Sequence, residues 1–284
     1  MVEIPPHLHG GLADSAGQPW AGRTFSENPW QNDDGTAPAE LAEALAKLRA
    51  GDGSPVEVVD ALRDTRLLVP LIAELGEEGI NDQGIKVDKS ADLSIVTVKA
   101  PDGRGIVPVF SSVEAMQRWD ASARPIPVDS RRAALAAVEE HNDLLILDPG
   151  SPETEFAVRR PAVWAISQAA DYELPWRDPE VLKQAQTLLG IEPRLLGIDL
   201  LPGDPQCVFA GPELLIALHV AADLDEASVG SVVTNVRSAL AGNSELVERV
   251  DSLGLRVDRV STEPTKTDKK TRRKPGLFRR RNAG

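Results

Sequence analysis

The chain has 284 residues, 42% of them hydrophobic and 26% charged, with a net charge of −13, which suits a globular protein with one large core or two smaller ones. Its longest apolar run, Leu214 to Val220, covers about a third of the ~20 residues a membrane helix needs, so no transmembrane segment is expected. A single cysteine, Cys207, excludes an internal disulfide and points to a cytoplasmic setting, and "MVEIPPHLHGG" has neither the basic nor the apolar region of a signal peptide.

Residues 1–37 are rich in Gly, Pro, Asn and Asp, without apolar periodicity, and read as an irregular segment. Trp20 and Trp30 within it imply that parts of it lie on a folded body. From Pro38, Leu41, Leu45 and Leu48 follow helical spacing, and Gly51 ends the helix. Ser54-Pro55-Val56-Glu57 is a capping box opening a second helix with Val58, Val59 and Leu62 inward. Leu67 to Ala73 reads as a strand that Pro70 places at an edge or an end. After an acidic connection, Leu93 to Val98 is apolar on both faces and predicts a strand covered on both sides. Asp102-Gly103 turns it into a strand from Gly105 to Phe110.

Ser111-Ser112-Val113-Glu114 reads as a second capping box, and Ala115, Met116 and Trp119 share the inward face of the short helix it starts. Pro125 disfavours helical geometry at Arg124, so the helix ends before it, and Pro125 and Pro127 hold an extended segment. Trp119, Asp120, Arg124 and Pro125 are thus expected to form a structural corner. A buried tryptophan locks it, and Asp120 pairs with Arg124 across the turn. Asp129 or Ser130 caps the next helix, with Leu135 and Val138 inward. Leu144 to Leu147 is a buried strand closed by Asp148-Pro149-Gly150. Phe156 and Val158 mark another strand, and Val163, Trp164 and Ile166 a helix.

"DYELPWRDPE" is polar with two prolines and is the best domain boundary. Beyond it, Asp178-Pro179 caps a helix with Val181, Leu182, Ala185 and Leu189 on one side and Gly190 after it. Leu195–Leu201 and Leu214–Val220 read as strands. Val229, Val232, Val233, Val236 and Leu240 form a helical stripe, Leu246, Val247 and Val250 a shorter one, and Leu255–Val260 a last strand. The expected fold class is α/β (α+β): two small mixed-sheet domains with packed helices. Residues 38–170 form the first and 181–262 the second, joined by a linker at 171–180. An irregular N-terminal segment and a disordered basic tail at 263–284 flank them.

Three strings, "NDDGTA", "DGRGIVPVFSSVEAMQRWDASARPIPV" and "LLILDPGSP", make the chain resemble the SseB family, named for enhanced serine sensitivity, in its actinobacterial form. The likeness extends over roughly residues 24–165, and residues 178–262 are similar to the smaller C-terminal domain of many members. The resemblance implies a two-domain α/β cytosolic protein and no particular reaction, because the family has no agreed catalytic residues to carry over.

The residues nominate no catalytic site, metal site or cofactor. The chain has no P-loop, G-x-G-x-x-G, H-E-x-x-H, C-x-x-C or nucleophile elbow. Cys207, in "DPQCVFAG", has no cation beside it in sequence to hold a thiolate. His7 and His9 alternate as a strand-type metal clip would, but in an irregular context. His141 fits a helix C-terminus, and His219 a satisfied core position. Asp33-Asp34-Gly35 and the acids from Asp82 to Asp92 lack EF-hand spacing and read as solvated loops.

The strongest compositional signal is the tail. Residues 264–284 hold nine basic side chains (Lys266, Lys269, Lys270, Arg272, Arg273, Lys274, Arg279, Arg280 and Arg281) and one acid, a charge of +8 against −21 for the rest. The expected role is a non-catalytic interaction protein whose tail reaches RNA, the ribosome or an acidic protein. Leu277 and Phe278 keep an anionic membrane surface in view, and the bland reading is an arm folded back on its own acidic body. The alternative is an enzyme or small-ligand protein with an inter-domain pocket.

Overall fold

The computed structural model describes residues 30–72, 79–80, 86–87, 96–100, 103–142 and 144–261. Helix α1 (Ala39–Ala50) buries Leu41, Leu45 and Leu48, and Gly51 ends it at φ +82°, where a side chain is disfavoured. In helix α2 (Pro55–Arg63) the capping box is complete: the Ser54 hydroxyl accepts from Val56 N, and Glu57 reaches back to Ser54 N. Strand β1 (Arg66–Leu71) follows. Short strands β2 (Gly79–Ile80) and β3 (Lys86–Val87) pair with each other. Strand β4 (Val98–Lys99) turns through Gly103, at φ +89°, into β5 (Gly105–Val109).

The strand expected from Leu93 to Val98 is corrected where it is described. Only β4 pairs, at the sheet edge, and Val98 is 42% exposed rather than covered on both faces. Residues 93–95 lie outside the described residues.

Helix α3 (Val113–Trp119), strand β6 (Arg124–Asp129) and helix α4 (Ser130–Glu139) lead to β7 (Leu145–Leu147), β8 (Phe156–Val158) and helix α5 (Arg160–Gln168). The sheet order is β4-β5-β7-β8, with β5 and β7 parallel and both outer pairs antiparallel. Alternation along the strands divides its two faces. Val107, Val109, Leu145, Leu147, Phe156 and Val158 pack under helices α1, α2, α4 and α5, while Ile106, Ile146 and Ala157 face Phe209. Each fully buried Val, Leu or Phe removes apolar surface worth about 1.5–3 kcal/mol from water.

The proline-rich stretch around Pro125 is a strand. β6 pairs antiparallel with β1, Pro125 opposite Pro70 and Pro127 opposite Leu68. All three prolines fall in the alternate class of pairs that exchange no hydrogen bond, so their missing N–H groups cost the ladder nothing. Leu68, in that same class, points its own N–H and C=O outward to Phe110 and joins β1 to the end of β5.

Helix α6 (Pro179–Ile191), strands β9 (Leu195–Pro202) and β10 (Leu214–Ala221), helices α7 (Glu226–Ala241) and α8 (Ser244–Arg249), and strand β11 (Leu253–Val260) form the second unit. Central β10 pairs antiparallel with β9 and parallel with β11, the α7–α8 crossover joining the parallel pair. Val181, Leu188, Ile216, Leu218, Val232 and Val236 form its core. The structure is thus mixed α and β, as expected.

Several side chains face the other way from the sequence reading. Leu135 is 49% exposed, and α4 packs through Ala133, Ala134 and Ala137 instead. Leu182, Leu189 and Val247 also face solvent. α6 runs past Gly190 to Ile191.

Candidate functional site

The three strings behind the family resemblance meet at one place, the C-terminal ends of the parallel strands β5 and β7. In α/β sheets that edge is where ligands usually sit. Ser111 leaves β5 there and Asp148 leaves β7. Asp148 Oδ1 accepts from Ser111 N at 2.7 Å and Oδ2 from Ser111 Oγ at 2.6 Å, both residues being buried. Burial outweighs these bonds and holds the Asp148 carboxyl above the usual carboxylate range. The Ser111 carbonyl accepts from Arg66 at 2.6 Å, and the same guanidinium reaches Asp33 Oδ1 at 2.5 Å and Thr36 O at 2.8 Å. Gly35, at φ +80°, lets the "NDDGTA" loop close on α3: an added Cβ would stand 2.7 Å from Val113 Cγ2. Gly35 O also accepts from Val113 N. An open recess of about 590 Å³ beside this cluster is lined by Trp30, Asp33, Asp34, Asp64 and Arg66.

These contacts correct the second capping box. The cap of α3 is Ser112, whose hydroxyl accepts from Ala115 N, while Ser111 is spent on Asp148 and Glu114 pairs with Arg118 at 3.0 Å. Trp119 is half-buried, its ring 5.4 Å from that of Phe110 at a 45° tilt, over Leu68, Ala115 and Met116. Asp120 does not pair with Arg124. Its Oδ1 accepts from Ser122 N at 2.8 Å and Ser122 Oγ at 2.7 Å, which lowers its pKa, while Arg124 and Pro125 are exposed. The hydroxyl two residues on is simply nearer than a guanidinium four residues on in an extended strand.

A second polar cluster lies in the seam between the two units. Arg159, the residue before α5, is buried. It donates to Asp204 at 2.7 Å, Gly211 O at 2.7 Å, Ser252 Oγ at 3.2 Å and Asp251 at 3.3 Å. Arg104 donates to the other Asp251 oxygen at 2.7 Å. The two guanidiniums lie over Phe209, at 5.1 Å and 5.4 Å from its ring centre. On one side of Arg159 an open cleft of about 370 Å³ is lined by Arg104, Phe209, Pro212 and Ser252. On the other, a closed space of about 10 Å³ is walled by Tyr172, Asp204, Cys207 and Glu213, roughly enough for one water. The Cys207 thiol is pushed up to about 12, by burial first and then by Asp204. Burial, followed by Asp251, raises the Glu213 carboxyl to about 7. Tyr172 sits well above its ordinary value because it is buried beside Glu213.

The "DYELPWRDPE" stretch packs into this seam. Leu174 is buried, and Tyr172 Oη donates to Glu213 Oε1 at 3.3 Å. None of the seam residues was nominated from sequence except Cys207, and nothing in the local spacing of Arg159, Asp204, Glu213 or Asp251 marks them.

The remaining nominees are dispersed. His141 follows α4 on the surface at φ +60°. His219 is not a core histidine: its side chain is 26% exposed on the sheet face away from the helices, with Nε2 3.1 Å from Asp199. Asp34 accepts from Thr36 N and Oγ1, and Asp33 is bound to Arg66. Among the described residues no three His, Cys, Asp or Glu side chains converge as metal ligands, and no helix is long and apolar enough to cross a membrane. His7, His9, the acids from Asp82 to Asp92 and the nine tail cations lie outside the described residues.

Residues 41–165 match the family model of the SseB protein N-terminal domain. By that match, the chain carries an SseB N-terminal domain. The match takes in two of the three strings, and the third, "NDDGTA", lies just before it and is tied to it through the Asp33–Arg66 pair. Neither a curated protein nor a solved structure matches the chain.

Proposed function

We propose that this protein is a non-catalytic cytoplasmic interaction protein of the SseB family, a folded scaffold with a basic arm at 264–284 that contacts RNA, the ribosome or another anionic partner. The observation that carries the reading is the division of charge, +8 in the arm against −21 in the body. Nine cations within 21 residues supply a sequence-tolerant attraction to phosphates, and an acidic body limits it to the arm. The use of the body's polar side chains supports this. The residues at the ends of β5 and β7 bind one another and the "NDDGTA" loop, and Arg159 spends its donors on Asp204, Asp251, Ser252 and Gly211 O. Residues 178–262 are read as the smaller C-terminal domain of the family.

The second reading, a small-ligand protein or enzyme with a pocket between the units, has the seam as its observation. There, an open cleft of about 370 Å³ is lined by Arg104, Arg159, Phe209 and Ser252. The two readings separate by co-purification of the full chain and of a chain ending at Glu263. The interaction reading expects RNA or an anionic protein with the full chain and its loss from the shorter one. Equal retention by both chains contradicts it. Binding to anionic vesicles that Phe278→Ala weakens as much as loss of basic residues would reassign the arm to membranes.

A further inference from the structure

The seam holds an unequal number of charges. Asp204, Asp251 and Glu213 are all buried there, and among the described residues they meet two guanidiniums, Arg159 and Arg104. Arg159 takes Asp204 and Asp251, and Arg104 takes the second oxygen of Asp251. Glu213 receives neither. Its Oε2 accepts from Asp251 N at 2.6 Å and its Oε1 from Tyr172 Oη at 3.3 Å. Glu213 stands at the start of β10, Tyr172 in the chain between α5 and α6, and Asp251 just after α8, so this one carboxyl joins three separate segments.

We infer that Glu213 is a proton-operated latch of the seam, closed when the carboxyl is neutral and loosened when it ionises. With Glu213 neutral, the described residues of the seam set two carboxylates, Asp204 and Asp251, against two guanidiniums. With Glu213 ionised, they carry an unpaired buried negative charge, the costly case for an ion in low dielectric. Oε2 is occupied by the Asp251 amide, so the proton of the neutral acid resides on Oε1; the Tyr172 hydroxyl, which donates to the ionised carboxylate, rotates to accept from it. The groups facing the carboxyl from each packed element are Tyr172 from the α5–α6 connection, Asp251 and Ser252 from the turn before β11, Arg159 from the start of α5, and Asp204 and Cys207 from the β9–β10 loop. Arg104 acts through Asp251. Cys207 and Tyr172 stay protonated throughout the neutral range, because both are raised.

Burial lifts the Glu213 carboxyl from 4.5 to about 7. Between those values the folded protein keeps a proton that the unfolded chain has released. Stability from this group therefore falls as pH rises through that window and levels off above pH 7.

The test is thermal melting of the full chain from pH 5 to 8.5, with Trp176 in the seam wall contributing to the fluorescence. The wild type is expected to lose several degrees between pH 5 and 7.5. Glu213→Gln, which cannot ionise, is expected to flatten that slope and to melt no lower than wild type at pH 8. An unchanged slope in Glu213→Gln, or a lower melting point than wild type at pH 8, overturns the latch. If Glu213→Gln does not fold, carbon-13 NMR of labelled glutamate in the wild type decides. One carboxyl titrating near pH 7 supports the latch, and all of them titrating below pH 5.5 overturns it.

Discussion

Asp148→Ala isolates the tie at the ends of β5 and β7. Asp148 is fully buried, and both its oxygens serve Ser111, one the backbone N–H and the other the hydroxyl. Alanine leaves two buried donors unpaired, each worth about 1–3 kcal/mol. Asp148 also sits at φ +48°, a left-handed conformation that costs alanine about 1 kcal/mol. The sum is about 3–7 kcal/mol. Asp148→Asn keeps a carbonyl oxygen for the Ser111 amide and tolerates the left-handed backbone. The Ser111 hydroxyl then rotates to accept from the new amide. Burial already raises the Asp148 carboxyl, so the negative charge is no asset in itself, and Asn is expected to cost about 1 kcal/mol. Asp148→Gly removes the backbone penalty but not the orphaned donors, and should fall near Asp148→Ala. Urea denaturation followed by circular dichroism reads all three as shifts in midpoint at constant slope. Asp148→Ala within 1 kcal/mol of wild type, or Asp148→Asn as damaging as Asp148→Ala, would refute the reasoning.

Three further outcomes follow from the geometry. Trp119→Ala should cost about 2 kcal/mol, less than a fully buried ring, because Trp119 is half-buried against Phe110; an unchanged melting temperature would make it a surface side chain. Arg159→Met should cost about 3–5 kcal/mol by leaving Asp204 buried without its cation. Adding Asp204→Asn should recover part of that loss, and no recovery in the double variant would deny the pair. Cys207, with its thiol at about 12, should be alkylated at pH 8 about a thousandfold more slowly than in the urea-unfolded chain; equal rates would contradict its burial.

What the sequence made legible were features decided within a few residues. The Ser54 box, the Asp129 and Asp178 caps, the Gly51 stop and the Gly103 turn all stand where local chemistry puts them. Facing direction was less legible. Helical spacing finds a stripe, but in α4 small alanines take the close contact with the sheet and Leu135 is left outside. Long-range pairing was not legible at all. Ser111 reads locally as a cap, and only the return of β7 37 residues later reassigns it to Asp148. Arg159 lies 45 residues from Asp204 and 92 from Asp251, and neither interval has a spacing rule.

Contact between the proposed arm and an anionic partner is tested most directly by the salt dependence of binding. Filter binding of single-stranded RNA to the full chain and to a chain ending at Glu263 should be followed from 50 to 300 mM salt. If about five of the nine cations meet phosphates, log affinity should fall against log salt with a slope of about −3.5, with little preference among sequences. The shorter chain should bind too weakly to measure. Equal binding by the two chains, with equal slopes, would contradict the account.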